Sequence, residues 1–171
     1  MILQLPGHDI RRAALADVPA IQALFERDPR YFLMNEGAHP RPTEAAELAR
    51  ELPPNRTLDH KHLLVVDDAR TGVIEVVEGY PDATTWYLGL IFLAPAARGQ
   101  GLGGQLLDAL AEHIRASGGT TLRLAVAVAN IGARRLYNRL GFCPIARRVR
   151  TSWNGSEIPV DVLERDVTAA R

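Results

Sequence analysis

The chain has 171 residues, 47% of them apolar and 23% charged, with 20 basic and 20 acidic side chains and a formal net charge of zero. That length suits one domain with a sizeable core, and the even charge argues against nucleic-acid or anionic-membrane partners. Lys61 is the sole lysine and Cys143 the sole cysteine, which excludes an internal disulfide and a cysteine-based zinc site; with no basic leader and no apolar run of bilayer length, the expected location is the cytoplasm.

Residues 8–15 read as a short strand of mixed polarity. Asp17 is placed to cap a helix carrying Val18, Ile21, Leu24 and Phe25 at helical spacing. Residues 28–42, which hold Pro29, Gly37, Pro40 and Pro42, read as irregular. Thr43 is placed to cap a second helix, with Glu44 and Glu47 at the positive end of its dipole. Pro53-Pro54 stops it. Strands follow at 62–66, 73–80 and 86–93, separated by turn composition at 67–72 and by Pro81-Asp82. The end of the third, Leu90-Ile91-Phe92-Leu93, is apolar throughout, as a strand covered on both faces should be. A glycine-rich turn at 98–104 opens a helix with Leu102, Leu106, Leu107, Leu110 and Ile114 in one stripe. Gly118-Gly119 ends it. Residues 122–129 are strand, and 130–140 are a short helix with Ala133, Leu136, Tyr137 and Leu140 on one face. A hairpin closes the chain, its strands at 148–153 and 157–167 flanking the two-residue turn signal Asn154-Gly155. The order β-α-α-β-β-β-α-β-α-β-β predicts a single α/β (α+β) domain over residues 1–171.

The most informative segment is residues 90–104, LIFLAPAARGQGLGG. A buried strand runs through a glycine-rich loop into a helix. The first turn of a helix presents unpaired N–H groups and the positive end of the dipole, and glycines let an anion approach the backbone. Together these make a pyrophosphate cradle. A Walker loop is excluded, because no Lys-Ser or Lys-Thr follows the glycines. Gly99, Gly101 and Gly104 satisfy GxGxxG literally, but a dinucleotide fingerprint also needs an acidic residue about twenty positions on, at the end of the next strand. Residues 121–129 hold no carboxylate.

Arg98-Gly99-Gln100-Gly101-Leu102-Gly103 matches an R/Q-x-x-G-x-G/A signature, and the later run from Asn130 through Tyr137 to Gly141-Phe142 accompanies it. On these motifs the chain resembles the GNAT N-acetyltransferase superfamily. The resemblance implies a GNAT-like fold with a central mixed, mostly antiparallel sheet flanked by helices. It implies acetyl-CoA as cosubstrate, no metal, and direct attack by an amine acceptor in a ternary complex. The acceptor class is a small-molecule amine or a peptide or protein amine, and homodimers are common in the superfamily. By similarity, the cofactor-binding residues are Arg98, Gly99, Gln100, Gly101, Leu102, Gly103 and Gly104 for the pyrophosphate. Ile91, Phe92 and Leu93 on one side, and Val128 to Asn130 on the other, would flank the pantetheine arm. Tyr137 matches the tyrosine that commonly sits near the thioester sulfur, where a phenol can protonate the departing thiolate; the alternative is a core tyrosine on the apolar stripe of its helix. A thiol with a pKa of about 8.5 and a phenol near 10 make that transfer reasonable chemistry for a placed group.

The base departs from the family pattern. Many relatives place a Glu on the strand before the signature loop, and residues 86–93 hold no carboxylate. Glu75 and Glu78 lie on the neighbouring strand and, three apart, point to opposite faces. Glu78, beside Gly79-Tyr80 at the strand end, is preferred as catalytic base. The acceptor site is expected within residues 25–43, with Tyr31, Asn35, Glu36 and His39. Of Trp86 and Tyr87, one is expected in the core and one at the acceptor pocket. His60-Lys61-His62 reads as a surface edge, and Cys143 as an inert thiol. Two rival readings are a CoA-binding module without catalysis, supported by the missing carboxylate, and an acyltransferase taking a longer acyl-CoA.

Overall fold

The computed structural model describes residues 3–169. Among them, seven strands form one sheet: β1 (Ile10–Arg12), β2 (Lys61–Val66), β3 (Gly72–Val77), β4 (Thr85–Leu93), β5 (Thr121–Ala127), β6 (Cys143–Thr151) and β7 (Glu157–Asp166). The spatial order is β1-β2-β3-β4-β5-β7-β6. Every neighbouring pair is antiparallel except β4 and β5, which run parallel. The helices are α1 (Val18–Arg27), α2 (Arg30–Glu36), α3 (Glu44–Leu48), α4 (Leu102–Ala116) and α5 (Ile131–Arg139). The expected mixed, mostly antiparallel sheet flanked by helices is what the chain forms.

Alternation along the strands splits the core in two. Leu63, Val65, Val73, Leu90 and Phe92 face the first three helices and pack on Ile21, Leu24, Phe25, Phe32 and Ala45. Leu64, Val66, Ile74, Val76, Leu88, Leu122 and Leu124 face the other way, onto the Leu102, Leu106, Leu107, Leu110 and Ile114 stripe of α4. On the first face, Phe92 sits edge-on to Phe25 with ring centroids 5.2 Å apart.

Four local expectations need correction. Asp17 does not cap α1. Its carboxylate instead accepts the Ala14 N–H at 2.7 Å and a two-pronged Arg11 bond at 2.7 Å, closing the short 3-10 turn before the helix. Thr43 likewise donates its hydroxyl to the Glu47 carboxylate at 2.5 Å, and its oxygen accepts no backbone N–H of the helix. Residues 30–36 are helix, not loop, because Phe32 is drawn into the Phe25–Phe92 cluster and Gly37 ends the turn at φ 69°. Finally, β6 starts five residues earlier than expected, at Cys143, and Thr151 pairs Glu157. The chain turns there through three residues, Trp153-Asn154-Gly155, with the Gly155 N–H on the Ser152 carbonyl at 2.9 Å and Ser152 N–H on Ser156. Gly155 at φ 84° makes this the bulged three-residue hairpin rather than the two-residue one.

That hairpin braces the end of α2. Arg150 holds Glu36 at 2.8 Å and also donates to the Asn35 carbonyl, while the Ser152 hydroxyl donates to Glu36 at 2.7 Å. At the other end of the sheet's core, Asn130 is the N-cap of α5, its Oδ1 accepting the Ala133 N–H at 3.1 Å. Asn130→Ala is expected to lower stability by about 1 kcal/mol. Thermal unfolding of the ligand-free protein should read this as a fall of about 2–4 °C in Tm.

Candidate active site

The parallel pairing of β4 with β5 runs from Thr85↔Thr121 to Leu88↔Leu124 and goes no further. Beyond it the strands part. The gap is the floor of a cleft of about 720 Å³, lined by Leu88 to Leu93 on one side and by Leu124, Ala125, Val126 and Asn130 on the other. The glycine loop closes one end, and Leu136 and Tyr137 of α5 form a wall.

The loop is shaped for an anion. Gly101 has φ 85° and is the N-cap of α4. A Cβ there would meet no protein atom within 4 Å, so the glycine serves backbone conformation and open approach, not packing. Gly103 differs: a Cβ there would be in ordinary contact with Leu136 at 3.4 Å and Leu93 at 3.6 Å, where α4 meets α5 and the end of β4. Arg98 does not reach into the cleft as a free cation. Its Nε donates to the Leu93 carbonyl at 2.8 Å, its Nη1 pairs with buried Asp28 at 2.5 Å, and its guanidinium lies over Phe92. Arg30 holds the other Asp28 oxygen at 3.0 Å. Burial would push the Asp28 carboxyl up, but the bonds from Arg30 and Arg98 outweigh it and hold it below the usual carboxylate range. Arg98 thus ties the loop to the end of β4. Gln100 bonds the Ala96 carbonyl at 2.7 Å and the Leu102 side chain is in the core, so these two offer the cleft backbone at most.

A second cavity of about 750 Å³ opens between the first helices and β2–β4. Tyr31, Gly89 and Leu90 line both cavities, so the two meet there. The meeting point is a β-bulge. Glu75 pairs Leu90 and Val76 pairs Leu88, leaving Gly89 as the extra residue. A Cβ on Gly89 would fall 1.9 Å from Glu75 Oε2. The glycine is therefore what admits a carboxylate to the junction.

Glu75 is only 5% exposed. Burial pushes its carboxyl up, and the Lys61 ammonium at 2.8 Å from Oε1 draws it back only in part. Glu78, the residue favoured by sequence, lies on the opposite side of the sheet. Its side chain is 43% exposed, holds the ring of His62 at 3.2 Å, and lines neither cavity. The expected surface edge at residues 60–62 is also corrected: Lys61 and His62 are buried, with His62 stacked on Trp86 at 5.3 Å. No three-residue cluster suited to a metal occurs among the described residues.

Tyr137 is buried against Phe142, and burial pushes its phenol up. Tyr31 lies against Phe32 and Phe92, its phenol pushed up by burial and then by Tyr137. Trp86 is core and Tyr87 lines the second cavity. Cys143 is exposed and in neither cavity.

A model of the acetyltransferase (GNAT) family matches residues 19–142. The chain belongs to that family. A mycothiol acetyltransferase of Beutenbergia cavernae is 39% identical over 66 residues, which are 39% of this chain and 22% of that protein's length. Among solved structures, spermidine N-acetyltransferase from Vibrio cholerae, in complex with CoA and spermine, superposes with TM-score 0.70 at 21% identity, covering 94% of this chain and 96% of that one. The ribosomal-protein-S18-alanine N-acetyltransferase of Escherichia coli superposes with TM-score 0.67 at 20% identity, covering 96% of each chain. At these identities the structural likeness establishes the fold.

Within this GNAT chain, Ile91, Leu93, Gly99, Gly101, Gly103, Gly104 and Asn130 line the parted-strand cleft together with Arg98. Phe92 also lines it, although its ring is held in the aromatic cluster of the opposite face. Val128 does not; its N–H goes to the Pro159 carbonyl at 2.9 Å, and Ala125 and Val126 take the position expected of it. Two lining cations were not singled out from sequence, Arg30 and Arg139. Nor was the Lys61–Glu75 pair, although a sole lysine at the start of a strand was a visible signal.

Proposed function

We propose that the chain works as a single catalytic unit, an acetyl-CoA-dependent N-acetyltransferase acting on an amine held in the cavity beside Glu75. The observation that carries this is the junction at Gly89. A buried carboxylate with a raised pKa stands where a cofactor-shaped cleft and a second cavity meet. Such a group is suited to proton transfer near neutral pH.

The cleft fits the cofactor on three counts: the strands part, the helix N-terminus is glycine-lined with open space at Gly99 and Gly101, and Arg30 and Arg139 add positive charge. When bound, acetyl-CoA supplies an acetyl group activated as a thioester. Backbone N–H groups of residues 99–103 hold the pyrophosphate, those of Arg98 and Gly104 being bonded to the Pro95 and Gly101 carbonyls. Glu75 Oε2 takes the proton that the amine loses. The Tyr137 hydroxyl, kept protonated by burial, gives its proton to the departing sulfur. Transfer is direct, since the cysteine lies outside both cavities. The missing carboxylate on β4, which favoured a non-catalytic module, is replaced by one reaching in from β3. The second cavity combines Phe25, Tyr31, Phe32, Tyr80 and Tyr87 with four carboxylates, Glu36, Glu44, Glu51 and Glu75, against one lining cation, Lys61, and that excess of acidic and aromatic groups suits a cationic amine with an apolar body.

Thermal unfolding with CoA, acetyl-CoA, NADH or ATP tests the cofactor. At about a hundred times its dissociation constant a ligand adds about 2.7 kcal/mol, or roughly 5–10 °C here. CoA and acetyl-CoA alone should shift the curve. Release of CoA thiol with spermidine and with an alanine-initiated peptide then tests transfer. A shift with NADH and none with acetyl-CoA would overturn the reading.

A further inference from the structure

Lys61 is the chain's one lysine, against 19 arginines, and it is 5% exposed at the start of β2. A buried ammonium persists only with charge and hydrogen-bond partners. Lys61 has both: Nζ donates to Glu75 Oε1 at 2.8 Å and to the Glu51 carbonyl at 2.8 Å. Among the described residues that line the second cavity it is the sole cation. The other charged groups there are accounted for differently. Glu36 from α2 is held by Arg150, and Glu44 from α3 by Arg41 at 3.0 Å. Glu51, Tyr31, Tyr80 and Tyr87 complete the ionisable lining, and α1 contributes only Phe25.

Glu75 therefore has its two oxygens divided. Oε1 is taken by Lys61, and Oε2 lies against Gly89 at the junction. We propose that Lys61 is a positioning residue for the base: its ammonium pins Oε1 so that Oε2 stays ionised and turned to the junction. The proposal rests on Glu75 being the base. Without the ammonium, a carboxylate buried among aromatic rings takes up a proton instead of remaining charged. An uncharged Glu75 is too weak a base to take a proton from an ammonium, so turnover is lost where it protonates and regained where it ionises. A merely structural lysine would slow the enzyme equally at every pH.

The titration of Glu75 can be followed without any acceptor. In protein carrying 13C at the Glu side-chain carboxyl, the resonance absent from Glu75→Gln is that of Glu75. Lys61→Met should move its midpoint up by about one pH unit or more. Lys61→Arg, which keeps the charge, should leave it within about half a unit. In the thiol assay, with whichever of spermidine and the alanine-initiated peptide turns over, the acid limb of kcat/KM should move with the resonance. Activity near pH 7 should fall about tenfold and recover at high pH. Lys61→Gln gives the same reading should the Met variant not fold. An unmoved Glu75 midpoint in the neutral variants overturns the proposal and leaves the base assignment standing. A moved midpoint, with Glu75→Gln still fully active, overturns the base assignment instead.

Discussion

Glu75→Gln is expected to lower kcat/KM for amine acetylation by about 10²–10⁴-fold, the range for loss of a general base. Cofactor binding should survive, and the Tm shift with acetyl-CoA should match that of the unaltered protein. The amide is nearly isosteric with the carboxylate, so it fits the space that Gly89 leaves open. It still accepts a bond from Lys61. What it lacks is a basic oxygen. Glu78→Gln is the matched control. Glu78 is 43% exposed and meets His62 on the other side of the sheet, and its loss should change the rate by no more than about twofold. The pH profile adds a second check. A base works when deprotonated, and burial raises the Glu75 carboxyl above its ordinary value. Activity should therefore rise with pH through a limb above the usual Glu pKa of about 4.3. A limb at the ordinary value would assign the base elsewhere.

The contrast between these two glutamates shows where local reading stops. Their odd spacing places them on opposite faces, and that much is arithmetic on a strand. Which face meets the cofactor depends on where the first three helices pack, and on one extra residue, Gly89, in the strand alongside. Neither is encoded within the few residues around Glu75. The glycine signature was legible for the opposite reason. Gly101 must take φ 85° to start α4, and the apolar stripe of α4 follows at once in sequence. Helix α2 was hidden by Pro29 and Gly37, which are common in loops but here are its N-cap and its C-cap. Its stability comes from Phe32 meeting Phe25 and Phe92, a contact spanning sixty residues that no local pattern reports. Lys61 was misplaced likewise. A lysine beside two histidines looks solvated until the register of β2 against β3, which pairs Lys61 with Val77 and Leu63 with Glu75, puts it on the same face as Glu75 and diagonally across from it.

Tyr137→Phe is expected to lower kcat by about 10²-fold with little change in KM for acetyl-CoA. The ring stays, and with it the contact to Phe142 at 5.4 Å and the wall of the cleft. Thermal unfolding should place the variant close to the unaltered protein, which separates this outcome from loss of core packing. In the proposed mechanism the substitution removes the donor to the departing sulfur. Burial keeps the Tyr137 phenol protonated well above neutral pH. The donor is thus present across the whole range in which Glu75 becomes ionised, and the variant should lose rate evenly over that range. The proposed roles therefore predict that Glu75 sets the pH limb and Tyr137 the height of the plateau. A donor role also predicts a dependence on the leaving group. A thioester whose thiol has a lower pKa needs less help to depart, so the gap between Tyr137 and Phe should narrow with such a substrate. An unchanged gap would place the effect of Tyr137 in binding geometry, with protonation of the sulfur left to solvent.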